Sequence, residues 1–158
     1  MKKRVYIETS VISFLTSRPS GNVVLAGHQA SSQGFWEERG KYELFISDMV
    51  VQECEKGDVE RARLRREAIN GLAVLDVDME VELLAKALID ANAVPENFLE
   101  DAIHIAVAAA GNVDFIVTWN FKHINNPAMK RRIANVVLGK GYEMPEICSP
   151  EELQEAGI

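Results

Sequence analysis

The sequence predicts an α/β layer structure with a mainly parallel sheet, and three observations carry that expectation. Apolar runs of strand length take turns with segments of helical periodicity along the whole chain. One run, Asp114 to Thr118 (DFIVT), is almost continuously apolar, as a strand covered on both faces must be. Neither a linker nor an internal repeat interrupts the 158 residues, so a single domain spanning 1–158 is expected, with right-handed crossovers between its strands.

The elements follow in order. Val5, Tyr6 and Ile7 open a first strand, Arg4 to Glu8. Asn22 to Arg39 reads as a helix with Val24, Leu25, His28, Phe35 and Trp36 toward one side, ending at Gly40. Glu43 to Ile46 is a short second strand, after which Ser47 caps a helix that starts Asp48-Met49-Val50-Val51 and stops near Gly57. Asp58 caps the next helix, Val59 to Ile69, and Asn70-Gly71 punctuates its end. Ala73 to Val77 is a third strand, and Glu80 to Ala91 places Val81, Leu84, Ala85 and Leu88 on one helical stripe. Pro95 is expected in the first turn of a helix that runs from Phe98 to Ala110 and closes at Gly111. Asp114 to Thr118 is the fourth strand. Pro127 to Leu138 suits a helix with Gly139 at its end, and Ser149-Pro150-Glu151-Glu152 is a capped helix start.

Composition excludes several classes of function. An apolar fraction of 47% and a charged fraction of 26% describe a soluble globular chain, and no apolar run is long enough to cross a bilayer. The basic start Met1-Lys2-Lys3-Arg4 lacks the hydrophobic region and cleavage site of a signal peptide, so a cytoplasmic protein is expected. Cys54 and Cys148 have no metal-binding or disulfide-framework spacing. A net charge of −7 argues against a module that works only by neutralising phosphates. It argues less against a metal-dependent nuclease, because a bound cation inverts the local sign.

Ligands of parallel sheets collect outside the carboxyl ends of the strands, which turns those ends into candidate sites. Glu8 ends the first strand, and Thr118-Trp119-Asn120 follows the fourth. Glu53 sits among Val50, Val51 and Cys54, and Asp101 lies inside FLEDAIHIAVAAA, a helix too apolar to face water along its length. An acid among core-facing residues is costly unless something pairs it. Glu8, Glu53, Asp101 and Asn120 therefore form a candidate constellation from four parts of the chain. Gathered carboxylates repel, and a divalent cation removes the conflict. All-oxygen ligands favour Mg²⁺ or Mn²⁺, and the chemistry implied is phosphodiester hydrolysis.

The segments YIETSVISF, SDMVVQE, EDAIHIAVAA and DFIVTWNF, in this order, resemble the PIN domain family, especially the VapC-like toxins of bacterial toxin–antitoxin pairs. The resemblance covers almost the whole chain. It implies a three-layer α/β/α sandwich, a Mg²⁺- or Mn²⁺-dependent ribonuclease acting on RNA, frequent homodimers, and inhibition by a small antitoxin. Glu8 holds the place of the family's first acid, usually Asp; Glu53 matches the second and Asp101 the third. Asn120 stands where a fourth acid is usual, which weakens a second metal site more than the first. Thr9, Ser10 and Thr118 are expected to orient Glu8 or a metal-bound water through their hydroxyls.

Several residues keep two readings at this stage. Glu8 alone reads equally as a solvated strand end, Glu53 as a surface helix acid, and Asn120 as a turn former. His104 reads as a hydrogen-bonded structural histidine beside the site, and His123 as a residue close enough to touch substrate. Trp119 reads as core or dimer packing ahead of base stacking, and Arg61 to Arg66 and Lys130-Arg131-Arg132 as phosphate contacts or a solvated face. A catalytically weakened RNA- or protein-binding module is the alternative function, followed by a small-molecule phosphatase.

Overall fold

In the computed structural model, which describes all 158 residues, the chain runs β1 (Arg4–Ile7), α1 (Thr9–Thr16), α2 (Val23–Glu37), β2 (Glu43–Ser47), α3 (Asp48–Cys54), α4 (Val59–Ile69), β3 (Ala73–Leu75), α5 (Met79–Asp90), α6 (Leu99–Ala110), β4 (Phe115–Val117), α7 (Pro127–Gly139), β5 (Glu146–Cys148) and α8 (Pro150–Glu155). A 3-10 turn, Arg39–Lys41, precedes β2. All strands are parallel, in the order β3-β2-β1-β4-β5, and helices cover both faces to make a three-layer α/β/α sandwich. One helical layer groups α1, α2, α3, α4 and α8; the other groups α5, α6 and α7.

β1 is the central strand, and its sequence explains why. Val5, Tyr6 and Ile7 are fully buried, as a strand with helices above and below requires. The chain steps outward from β1 to β2 and β3, then returns to place β4 on the other side of β1. That reversal makes the carboxyl ends of β1 and β4 the switch point of the sheet, where such folds bind ligands.

α6 supports the same centre from below. Every residue from Ala102 to Ala109 is buried, and its alanines combine high helix propensity with small cross-sections that let α5 pack closely. At its end Gly111 is needed for space, since a Cβ there would lie 2.7 Å from Leu75 Cδ1 and 3.1 Å from the Val107 carbonyl oxygen. Caps follow the expected chemistry. Asn22, Ser47, Asp58, Asp78 and Asn126 each accept a backbone N–H of the helix they precede, and Ser149 with Glu152 forms a capping box.

The structure departs from the sequence expectations in four places. α1 was not expected: Glu8 is the extended residue before it, and Val11 and Ile12 are fully buried within that helix. Tertiary burial overrides their β propensity. β5 was not expected, being three residues long. Pro95 lies in an exposed turn closed by the Phe98 N–H on its carbonyl at 2.9 Å, and α6 starts only at Leu99. The predicted apolar side of α2 fails at its start, where Val24 and Leu25 are exposed beside Val23, and becomes real only at Ser32 and Phe35. None of the helices is long and apolar enough to cross a membrane.

Candidate functional site

Glu8 is brought to the switch point by the sheet itself. Its N–H donates to the Val117 carbonyl at 3.0 Å, prolonging the β1–β4 ladder by one bond, and its side chain is buried. Oε1 accepts from Ser10 Oγ at 2.5 Å, from the first turn of α1, and from Thr118 Oγ1 at 2.6 Å, just past β4. The two hydroxyls are themselves fixed. Ser10 Oγ accepts the Trp119 N–H at 2.8 Å, and Thr118 Oγ1 accepts the Asn120 N–H at 2.9 Å. Strand-end residues from both sides of the switch point thus lock one carboxylate orientation.

Glu53 reaches the same place from α3. Its Oε1 accepts from Thr9 Oγ1 at 2.7 Å and bonds His104 Nε2 at 2.6 Å. His104 is fully buried, and its Nδ1 meets the Tyr6 hydroxyl at 2.7 Å, which in turn meets Ser47 Oγ at 2.8 Å. A continuous chain of hydrogen bonds therefore runs Ser47, Tyr6, His104, Glu53, Thr9, from the core to the site. Burial is the largest influence on His104 and disfavours the imidazolium. The Glu53 bond and the charges of Glu8, Glu53 and Asp101 together outweigh it, so its pKa is raised from the ordinary value. The same pair works in reverse on Glu53: burial pushes its pKa up, but the His104 bond and charge, with the Thr9 hydroxyl and Lys56, bring it below the usual value.

Asp101 and Asn120 form a neighbouring couple. Asp101 Oδ1 accepts from Asn120 Nδ2 at 3.1 Å, and Oδ2 bonds His123 Nδ1 at 2.9 Å. Asn120 Oδ1 is occupied by the N–H groups of Lys122 and His123 at 3.2 and 3.0 Å. Asn120 therefore turns its nitrogen, not its carbonyl oxygen, toward the acid.

Two carboxylates and one imidazole meet at this point, although His104 Nε2 is already engaged by Glu53 Oε1 at 2.6 Å. One ligand atom each from Glu8, Glu53 and His104 lie within 4.8 Å of one another, somewhat wider than the roughly 4.2 Å across an octahedral shell with bonds of about 2.1 Å. Each glutamate binds protein donors through Oε1 alone, leaving its Oε2 without a protein donor. Glu8 Oε2 stands 3.9 Å from His104 Nε2. Asp101 does not join the three within that span. Thr9, Ser10 and Thr118 all contact the two glutamates, whereas Asp101 and Asn120 contact each other and His123. His104 and His123 were not read as ligands, although a histidine flanked by Ile103 and Ile105 inside an apolar helix signals a buried polar partner.

The remaining candidates resolve simply. Trp119 is buried, stacks on His28 with ring centroids 4.0 Å apart, and donates Nε1–H to Ser32 Oγ at 2.8 Å, so it packs inside the protein. The arginines of α4 are engaged locally. Arg63 pairs with Glu60 and Glu67, Arg66 with Glu55, Arg61 donates to the Thr16 carbonyl, and Arg65 donates to the carbonyls of Cys54 and Lys56. Lys130 and Arg132 likewise donate to the carbonyls of Ile147 and Asn92.

No model of a known family matches the sequence, and no curated protein does. Among solved structures, the chain is similar to one from the VapBC2 complex of Rickettsia felis bound to a DNA fragment from its promoter. The TM-score is 0.60 at 16% identity, covering 91% of this chain and 98% of that one. A likeness at that identity establishes a shared fold across nearly the full length of both.

Proposed function

We propose that this chain is a divalent-metal-dependent endoribonuclease with the PIN fold, the toxin of a toxin–antitoxin pair. The carrying observation is the meeting of Glu8 and Glu53 at the switch point, each with one oxygen held by protein hydroxyls and one free of protein donors. The fold shared with a VapBC2 chain supports a small antitoxin as partner, and the sequence resemblance adds a homodimer.

In this reading Glu8, Glu53 and Asp101 would hold Mg²⁺ or Mn²⁺, Asp101 from outside the span that the two glutamates share with His104. When bound, such an ion lowers the pKa of an attacking water and stabilises the leaving oxygen of the phosphodiester. The protein's own residues supply placement. Ser10 and Thr118 fix Glu8, Thr9 and His104 fix Glu53, and all four act before substrate arrives. Asp101 keeps its orientation through Asn120 and His123, and its carboxylate retains lone pairs for a further ligand. Asn120, expected as a ligand, works here through Asp101.

Isothermal titration with Mn²⁺ and cleavage of a labelled RNA test the assignment together. Asp101→Asn and Glu53→Gln are expected to lose at least roughly tenfold in metal affinity, together with cleavage. RNA cleavage that survives Asp101→Asn overturns it. A catalytically weakened binding module is favoured by one observation, the charge-free Asn120 with its oxygen turned away. That module would retain RNA without cutting it at any Mn²⁺ concentration.

A further inference from the structure

Two exposed aromatic side chains border the acids, one leaning on a residue bonded to Asp101 and the other adjoining Asn120 in sequence. Phe98, the residue before α6, is 38% exposed, with its ring centroid 3.9 Å from that of His123, which bonds Asp101. Phe121, next to Asn120, is 47% exposed and packs edge-on against Trp119 and His28, both at 6.0 Å. Lys122, the residue after Phe121, is exposed, with Nζ 5.8 Å from the Phe98 centroid. Lys122 makes no ion pair, unlike Arg63, Arg66, Lys41 and Lys86 elsewhere on this acidic surface.

The segment that presents these groups is rigid. Asn120 takes the N–H groups of Lys122 and His123 on its side chain and those of Ile124 and Asn125 on its carbonyl. Asn126 Nδ2 donates to the Phe121 and Lys122 carbonyls at 3.0 Å each. A loop closed this tightly fixes the backbone that carries Phe121 and Lys122, which lowers the ordering cost on binding. Trp119, read from the sequence as core or dimer packing ahead of base stacking, is buried.

We propose that Phe98, Phe121 and Lys122 form the substrate platform of this site: two unpaired bases stack on the rings, and Lys122 contacts a backbone phosphate. The inference rests on the ribonuclease reading and names its substrate class, single-stranded RNA or an unpaired loop. Exposed π faces serve bases that are splayed out, and a duplex keeps its bases stacked on each other. Lys122 supplies one cation for one phosphate, so the salt dependence of binding should be shallow.

The test is fluorescence anisotropy of a labelled oligouridylate of roughly 12 nucleotides, a length within the usual single-strand site size. Ca²⁺ replaces the catalytic ion, with RNA integrity checked on a gel, and the matching duplex is run in parallel. Phe98→Leu and Phe121→Leu keep apolar bulk and remove the ring; each is expected to weaken single-strand binding by roughly 5- to 100-fold, with unchanged thermal melting. Lys122→Ala should reduce the salt slope by about 0.7. Wild-type binding that both leucine variants retain, or equal losses on duplex, overturns the platform while leaving the ribonuclease reading standing. Absence of any wild-type RNA binding overturns both. Variants that keep RNA binding but lose self-association in sedimentation make the surface a protein interface, and the proposal falls.

Discussion

Tyr6→Phe isolates the hydrogen-bond chain behind Glu53. The substitution removes one oxygen and keeps the ring, so apolar packing in the centre of the sheet is preserved. Tyr6, Ser47 and His104 are all fully buried, and the hydroxyl bridges His104 Nδ1 at 2.7 Å and Ser47 Oγ at 2.8 Å. Without it, Nδ1 loses its only partner where water has no access, whereas Ser47 keeps its contact with the Val50 N–H at 3.4 Å. One buried polar group left unsatisfied costs about 1–3 kcal/mol. For a chain of this length each kcal/mol lowers Tm by about 2–4 °C, so a cost near the middle of that range is a drop of about 4–8 °C. Urea denaturation followed by circular dichroism gives the free energy directly, and an unchanged m-value shows that only stability moved. Tyr42→Phe is the control. That hydroxyl donates to the Ile158 carbonyl at 3.0 Å beside the exposed C-terminal residue, and its loss should cost less than about 0.5 kcal/mol. Equal destabilisation by the two variants refutes the argument, because it means the Tyr6 hydroxyl is not serving a partner that water cannot replace.

The ionisation of the site pair sets a pH window. Glu53 has a depressed folded pKa, so its contribution is present above the unfolded value of 4.5 and is lost as pH falls; His104 has a raised one, so its contribution is full below 6.5 and is lost as pH rises through the folded value. With EDTA present, the difference in urea midpoint between wild type and His104→Asn should therefore peak between these limits, and a difference that grows up to pH 8 contradicts it. The thiols should be inert. Burial pushes Cys54 to about 11 and Cys148 to about 12, so a thiol reagent at neutral pH should label neither until urea unfolds the chain.

How far the sequence speaks depends on whether a residue's environment is local. Val59 to Ile69 is read to the residue because Asp58 caps it and Asn70-Gly71 ends it, with Gly71 at φ +85°. α1 is hidden because Val11 and Ile12 have the β-branched side chains of a strand and become helical only when α2, α3 and α4 close over them. β5 is hidden because three residues, Glu146-Ile147-Cys148, carry no period; they pair with β4 through a register that no local pattern encodes. The same distinction runs through the site. Glu8, Thr9, Ser10 and Thr118 are visible as polar ends of apolar strands. The Tyr6–His104 bond joins residues 98 apart in sequence, and the orientation of Asn120 depends on two backbone N–H groups that follow it.

The local charge balance explains why this fold can carry buried acids at all. Bringing Glu8 and Glu53 together inside a protein is expensive if both remain ionised and unpaired. Here every donor is internal: two hydroxyls serve Glu8, and a hydroxyl with an imidazole serves Glu53. The folded chain therefore holds one oxygen of each acid with its own groups. What the protein groups leave over is one oxygen on each glutamate, Oε2, which accepts from no protein donor. Hydroxyls that saturate one edge of a carboxylate and spare the other fix its direction while leaving it basic. That division of each acid into a held edge and a free edge requires Thr9, Ser10 and Thr118 as much as the acids, and it ties the polar strand ends of the sequence to the proposed metal site.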